Sequence, residues 1–316
     1  MRAVALLAAL PSATALIVPW ACAPLAGAPA PPLPAGITFA KLVCESLAAV
    51  PVFGKAGPIN VSVLSADLSR PSLRLASLTD SSLATVDAMA AAAVPRKIWG
   101  GINAGYFWRL DVKTFFDGVC LGKSRADAEA APAAAQPNYG VGDGVIVSGG
   151  ALAASNCDCI GFSRPAVLTI NGSASRIDVV HRGDPAPFGL AFDSTAAGPN
   201  LVSSNLSGSF IDIPSDDDNI GNILEHSANT AVGLFANGTA LLVTTDGFDG
   251  CSGFDATCGV NAYTLAYLMK DHFGVAASMG MDQGGSTTMY VKGAGVVSNP
   301  GQGTRPVFSG LFIEEL

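Results

Sequence analysis

Charge is what this chain has least of. Only 13% of its 316 residues are charged, and its 17 basic side chains are outnumbered by 25 acids, for a net charge of -8. No run of Lys or Arg stands out, which disfavours a protein that tracks a nucleic-acid backbone. Histidine is scarce too. The three residues, His181, His226 and His272, all lie away from the Cys157-Asp158-Cys159 pair in sequence, so the one close cysteine spacing lacks a zinc-site partner. Beyond the N-terminus no segment has the about 18–20 predominantly apolar residues that a membrane-spanning helix needs.

Apolar and turn-forming residues are plentiful. Hydrophobic side chains make up 49% of the chain, with 36 Gly and 20 Pro. This describes a compact, turn-rich globular protein long enough to bury a core.

At the start, Arg2 precedes an apolar stretch from Ala3 to about Val18, then Pro- and Ala-rich sequence to Gly36. The pattern is that of an export signal, with cleavage candidates around Ala15, Ala21 and Ala28. Residues 1–28 are expected to be the signal and 37–316 the mature domain, secreted or in the secretory lumen. With Cys22 set aside in the leader, six cysteines remain, an even number that suggests disulfides in an exported chain. Cys251 and Cys258 form the best local pair. Glycosylation sequons at Asn60, Asn171, Asn205 and Asn237 agree weakly with secretion.

The spacing of apolar residues predicts a helix over 80–93, capped by Asp80 or Ser81 and stopped by Pro95. A strand over 97–102 then leads into Asn103-Ala104-Gly105-Tyr106-Phe107. Hairpins are expected over 144–154, over 166–180 with a turn at Asn171-Gly172, and over 230–245 with a turn at Asn237-Gly238. Ala126 to Pro137 and the acidic Ser215 to Asn219 read as exposed insertions. A second helix is expected over 261–272 and ends at Gly274. A strand over 275–281 then runs into Asp282, and another begins near Thr288. Many hairpins with few helices make this an α+β protein with mixed β-sheets.

Residues 282–289 read Asp-Gln-Gly-Gly-Ser-Thr-Thr-Met. They resemble the Asp-Gly-Gly-Gly-Ser-Ser-Thr-Met turn of the phosphodiester glycosidase family. Asn103 to Phe107 is similar to that family's Asn-Gly-Gly-Phe-Phe, and Gly198-Pro199-Asn200-Leu201-Val202 to its Gly-Pro-x-Leu-Val. Thr230-Ala231-Val232-Gly233, Asp246-Gly247 and Arg305-Pro306-Val307 follow in the same order. The resemblance covers about residues 97–313 and implies a single phosphodiester glycosidase-like domain. Two positions depart from it. Gln283 replaces a turn glycine, and Asn229 stands where the family has an arginine suited to gripping phosphate.

The resemblance implies release of a sugar from a phosphodiester, leaving a phosphomonoester. Breaking a sugar C1–O bond builds positive charge that a carboxylate can stabilise, while the departing phosphate needs donors or a cation. Asp282 is the leading carboxylate and Asp246 the second. Asn103, Gly284, Gly285, Ser286, Thr287, Thr230 and Arg305 form the expected binding shell, and Tyr106 or Phe107 could stack on a sugar. His181 beside Arg182 reads as structural or exposed. Ser286 as a nucleophile is disfavoured because it lacks a Gly-x-Ser-x-Gly frame. No cofactor is called for, and metal use is left open. The expected partner is a phosphorylated glycan or other sugar-phosphodiester, with no nucleic acid and no membrane beyond the leader. The competing class is a non-catalytic glycan-binding or cell-surface module on the same fold.

Overall fold

The computed structural model describes residues 19–29, 31–47, 57–109, 140–142, 146–154, 166–171, 174–179, 193–202, 225–248, 258–301 and 303–316. The insertions expected at 126–137 and 215–219 lie outside them, as do the Cys157–Cys159 pair, His181 and Asn205.

Strand β1 is Trp20–Pro24, β2 Ile37–Ser46, β3 Ile59–Asp67 and β4 Leu73–Ala84, followed by helix α1, Val86–Ala92. Next come β5 Lys97–Asn103, β6 Phe107–Arg109, β7 Gly140–Gly142, β8 Ile146–Ser148 and β9 Ala151–Ala154. β10 is Ala166–Asn171, β11 Ala174–Val179, β12 Asp193–Ala197, β13 Asn200–Val202, β14 Asn229–Leu234 and β15 Thr239–Thr245. Helix α2, Ala262–Tyr267, continues into a π-helical turn over 268–272 and is followed by β16 Ala277–Gly280. The chain ends with β17 Met289–Val291, β18 Gly295–Val296 and β19 Val307–Glu315.

A seven-stranded sheet has the order β1-β2-β3-β15-β14-β16-β13, and a five-stranded sheet the order β18-β17-β5-β19-β4. Another five strands pair as β11-β10-β12-β8-β9. All the described strand pairs are antiparallel. The fold is α+β, as the hairpin-rich sequence implies.

Side chains alternate across the strands with period two, and β15 shows the consequence. Ala240 and Leu242 join the core between the two large sheets, with Leu64, Ile102, Met279, Met289 and Leu311. Leu241 and Val243 face the other way, onto Leu265, Leu268 and Met269 of the second helical segment. The first helix covers the far face of the five-stranded sheet through Val86 and Met89, packed with Ile98 and Phe312. The result is two packed sheets with a helix on each outer face. A Cβ at Gly101 would stand 2.4 Å from the Phe312 ring, so a bare backbone there lets the ring lie flat against the neighbouring strand.

Three local expectations change. Helix α1 starts at Val86 rather than near Asp80, because Asp80 Oδ1 accepts the Ser82 N–H (2.8 Å) and Leu83 has φ 56°. That local turn competes with helix and leaves 80–84 in β4. The Asn237-Gly238 hairpin is longer than a two-residue turn. Gly238 (φ +86°) donates to Phe235 O, and Phe235 N–H pairs with Thr239 O, giving a three-residue loop with glycine at its left-handed position. The setting aside of Cys22 is corrected as well, since it forms a disulfide with Cys44 across β1 and β2. A cut at Ala21 or Ala28 would divide or remove β1, whereas a cut at Ala15 would keep it whole. Cys258 is also disulfide-bonded, and Cys251, its expected partner, lies outside the described residues. The second helix begins as expected, with Asn261 Oδ1 accepting the Thr264 N–H at 2.9 Å.

One partly buried ion cluster braces the β18-β17-β5-β19-β4 sheet. Arg96 holds Glu314 through Nε and Nη2 (2.8 and 2.6 Å), and Arg74 Nε adds a contact at 2.8 Å. Burial pushes the Glu314 carboxyl up, but its bonds to Arg96 and Arg74 outweigh this and hold it below its ordinary 4.5. A lowered folded value means the stabilisation is complete above about pH 4.5 and fades as pH falls through the folded value.

Two outcomes follow for stability. Cys22→Ser should lower unfolding free energy by about 3 kcal/mol, the chain-entropy value for a loop of this size, read by urea denaturation without reductant. Glu314→Gln should cost about 1–3 kcal/mol at neutral pH by weakening its charge-assisted bonds to two part-buried guanidinium groups. Its profile of Tm against pH should also lose part of the acid-side decline seen in the unaltered protein.

Candidate active site

The two packed sheets end together on one edge, and the site lies there. β16 delivers Asp282, β14 begins with Asn229 and Thr230, β5 ends at Asn103, and β17 starts just after Thr288. Between Asp282 and Thr288 the chain makes one tight turn over 284–286. Gly284 has φ +65°, a conformation that glycine adopts at little cost. Gln283 has extended φ and ψ (-112°, -175°), so a side chain at this former glycine position is accommodated.

Asn103 is the hub. It is fully buried, and its Nδ2 donates to the Asp282 main-chain carbonyl at 2.7 Å. Its Oδ1 accepts from Thr230 Oγ1 (2.7 Å) and from the Thr288 N–H (3.0 Å). Its own N–H donates to Thr288 O. One side chain thus ties the two sheets to both ends of the 282–288 turn. With both lone pairs of its amide oxygen taken, Asn103 positions the site and is poorly equipped to grip substrate. Thr230, fully buried and bonded to it, acts the same way.

Asp282 is fixed on three sides. Its N–H donates to Ala104 O at 2.9 Å, its carbonyl accepts from Asn103, and its Oδ2 accepts from Ser286 Oγ. Arg305 closes the group. Its Nε and Nη2 both donate to Ser286 Oγ (2.9 and 2.5 Å), and Nη2 stands 3.6 Å from Asp282 Oδ2. A serine hydroxyl has one proton and two lone pairs, and all three are engaged here. Ser286 therefore bridges acid and cation and has no free lone pair with which to attack. Gly285 lies under the arginine, where a Cβ would come within 3.5 Å of Arg305 Cδ. The guanidinium also lies over the Phe107 ring, 5.8 Å from its centroid, with 44% of the side chain exposed. A carboxylate, a bridging hydroxyl and an accessible guanidinium stand in one row.

The other expected residues sit apart from that row. Asp246 is held by the Asn299 N–H (2.7 Å) and by Lys41 Nζ (3.5 Å), on the far side of β14 from Asp282. The Gly284 N–H is engaged by Ala228 O at 2.8 Å, so this glycine shapes the turn. Thr287 is buried, and its hydroxyl has no hydrogen-bond partner among the described residues. The Asn229 amide donates to Ser227 O and Val260 O (3.1 and 2.6 Å), so it fastens the segment before α2. His226, buried beside it, contacts Gly259 O and the Asn261 amide (3.2 and 3.3 Å), a structural setting. Lys41 was missed by sequence reading. Nothing local marks a lysine in mid-strand as the partner of an acid 205 positions along the chain. Among the described residues no three His, Cys, Asp or Glu side chains cluster so as to hold a metal. No helix among them is long and apolar enough to cross a membrane.

Solved structures share this architecture. The catalytic domain of zebrafish N-acetylglucosamine-1-phosphodiester alpha-N-acetylglucosaminidase, auto-inhibited by its pro-peptide, matches with a TM-score of 0.59 at 16% identity, covering 95% of this chain and 89% of that one. A Burkholderia pseudomallei protein assigned as exported matches with a TM-score of 0.58 at 15% identity, over 96% and 99% of the two chains. A hypothetical protein from Synechocystis gives 0.56 at 11% identity, over 87% and 62%. At such identities the likeness is one of fold. A search of curated proteins finds no match. The family is shown by sequence: a phosphodiester glycosidase model matches residues 130–314, more than half of the chain, and the chain belongs to that family.

Asn103→Ala should destabilise the protein by about 3 kcal/mol or more, because it strands the Thr230 hydroxyl, the Thr288 N–H and the Asp282 carbonyl in the interior. Equilibrium denaturation checks this. A loss under about 1 kcal/mol would mean that the hub bonds carry little.

Proposed function

We propose that this protein is an exported hydrolase that cleaves a glycosyl-phosphate bond in a phosphodiester, releasing the sugar and leaving a phosphomonoester. The observation that carries the reading is the row of Asp282, Ser286 and Arg305. Arg305 supplies the cation that Asn229 lacks, and its outward face is open to a phosphate. In the reaction the C1–O bond breaks, its electron pair leaves on the phosphate oxygen, and water adds to C1 and releases its proton to solvent. Asp282 stabilises the positive charge at C1 and orients that water. Arg305 stabilises the negative charge gathering on the departing phosphate, so strong protonation of the leaving group is unnecessary. Ser286 holds acid and cation at a fixed separation, which limits rearrangement as charge develops.

A second reading has specific support. Asp246 is tied to Lys41 and Asn299, and Asn229 is tied to main-chain carbonyls. A site with one carboxylate and one cation also suits a secreted glycan-binding module that holds a sugar phosphate without cleaving it.

Turnover of a panel of sugar-1-phosphodiesters by the purified protein separates the two. Asp282→Asn should reduce kcat about 10²- to 10⁴-fold, and Arg305→Ala should lower kcat/KM about 10²- to 10³-fold. An unchanged rate in Asp282→Asn removes the aspartate from the mechanism. No turnover across a broad panel, with sugar phosphate still bound, establishes the binding module.

A further inference from the structure

Phe107 opens β6, a short way along the chain from the Asn103 hub. The backbone between them is pinned from two sides. Ala104 and Gly105 donate their N–H groups to Ser309 O and Oγ (3.0 and 3.1 Å), and Ala104 O accepts the Asp282 N–H at 2.9 Å. The Phe107 ring is half-buried and packs against two apolar groups, one holding Val307 and Phe312, the other Ile146 and Phe308. From the sequence this ring was a candidate to stack on a sugar. The guanidinium carbon of Arg305 stands over it instead, 5.8 Å from the centroid.

The guanidinium is confined on other sides as well. A Cβ at Gly285 would stand 3.5, 3.7 and 3.7 Å from Arg305 Cδ, Nε and Nη1. Three coplanar atoms at nearly one distance put that point over the face of the group, so Gly285 forms a floor beneath it. Nε and Nη2 both donate to Ser286 Oγ (2.9 and 2.5 Å), which uses the inner edge. Nη1 has no hydrogen-bond partner among the described residues, and 44% of the side chain is exposed. What is left for a ligand is the outer edge. There Nη1 and the second Nη2 proton offer two parallel donors, matched to two oxygens of one phosphate. A long arginine side chain has many rotamers, and two bonds that converge on a single oxygen let the group pivot. An aromatic face opposes that pivot, because it attracts the cation from one direction.

We propose that Phe107 is a positioning residue for Arg305. Its ring fixes the guanidinium so that the inner edge stays on Ser286 and the outer edge is presented to phosphate in one orientation. This rests on the glycosyl-phosphate reading and adds to it how the phosphate is held, edge-on through its two non-bridging oxygens. With both of those oxygens engaged, the two ester oxygens of a tetrahedral phosphodiester point away from the arginine. The sugar and the acceptor then do not compete with the cation for room.

The test joins calorimetric titration of the full chain with inorganic phosphate to NMR of its nitrogen-15-labelled arginines. Leucine keeps the apolar bulk and removes the π face, so Phe107→Leu should weaken phosphate about two- to fivefold, and Phe107→Tyr should restore it. Any sugar-1-phosphodiester that is cleaved should lose at least the same factor in kcat/KM. The Arg305 Nε–H signal, assigned by its absence in Arg305→Lys, should exchange with water faster in Phe107→Leu but not in Phe107→Tyr. If Phe107→Leu does not fold, the unaltered protein still decides. Added phosphate should then move the Arg305 Nη signals and leave the Nε–H on Ser286 in place. Unchanged phosphate affinity in Phe107→Leu overturns the proposal, and so does an equal loss in Phe107→Tyr. A response at Nε as large as at Nη, or no phosphate binding by the unaltered protein, overturns it too. Weakened phosphate binding without cleavage of any diester keeps the positioning role and sinks the hydrolase reading. Cleavage at the same kcat/KM in Phe107→Leu does the reverse.

Discussion

A single buried amide joins the parts on which this site depends. Asn103 ends a strand of one sheet, accepts a hydrogen bond from the Thr230 hydroxyl at the start of a strand in the other, and holds both ends of the loop between Asp282 and Thr288. Main-chain groups inside a protein must find partners. Here a sheet edge that would otherwise leave carbonyls and amides bare is closed by one side chain. Every catalytic-type group on the loop then inherits its position from that closure. Asp282 is presented at a fixed angle, Ser286 meets it one turn later, and Arg305 arrives from the following loop.

The same edge separates two kinds of acid. Asp282 has Arg305 and Ser286 as partners and faces an accessible guanidinium. Asp246 is drawn away by Lys41 and the Asn299 amide into a brace between the end of β15 and the Asn299 loop. Two carboxylates that look alike at the ends of apolar strands thus do different work, because a third strand and its neighbours lie between them. Glu314 and Asp193 make the same point away from the site. Glu314 is held low by two arginines, whereas burial raises Asp193 despite the Gly149 and Ser77 amides it accepts.

Much of this was legible in the chain. The hairpins, the two helices, the strand into Asp282 and the α+β class follow from period-two alternation, glycine turns and capping residues, all of which act within a few positions. Asp282, Ser286 and Arg305 stood out because their motifs recur in order. Asp80 misled because its local turn beats the helix it was expected to cap. Cys22 misled because an apolar leader and an apolar first strand look the same until a disulfide partner is seen.

By itself, the sequence determined the family, the layered β architecture and the turn that carries the acid, since these depend on local patterns and ordered motifs. The tertiary structure alone decided which of the expected residues stand together and which are tied up as supports. Asn103 and Thr230 became supports because their hydrogen-bond capacity is used up by neighbours more than 100 positions away, while Asp246 became a brace and Ser286 a bridge through partners on other loops. It alone showed that Arg305 stands beside Asp282 while Asn229 fastens a loop. Spacing along a chain carries no record of which lone pairs are already taken.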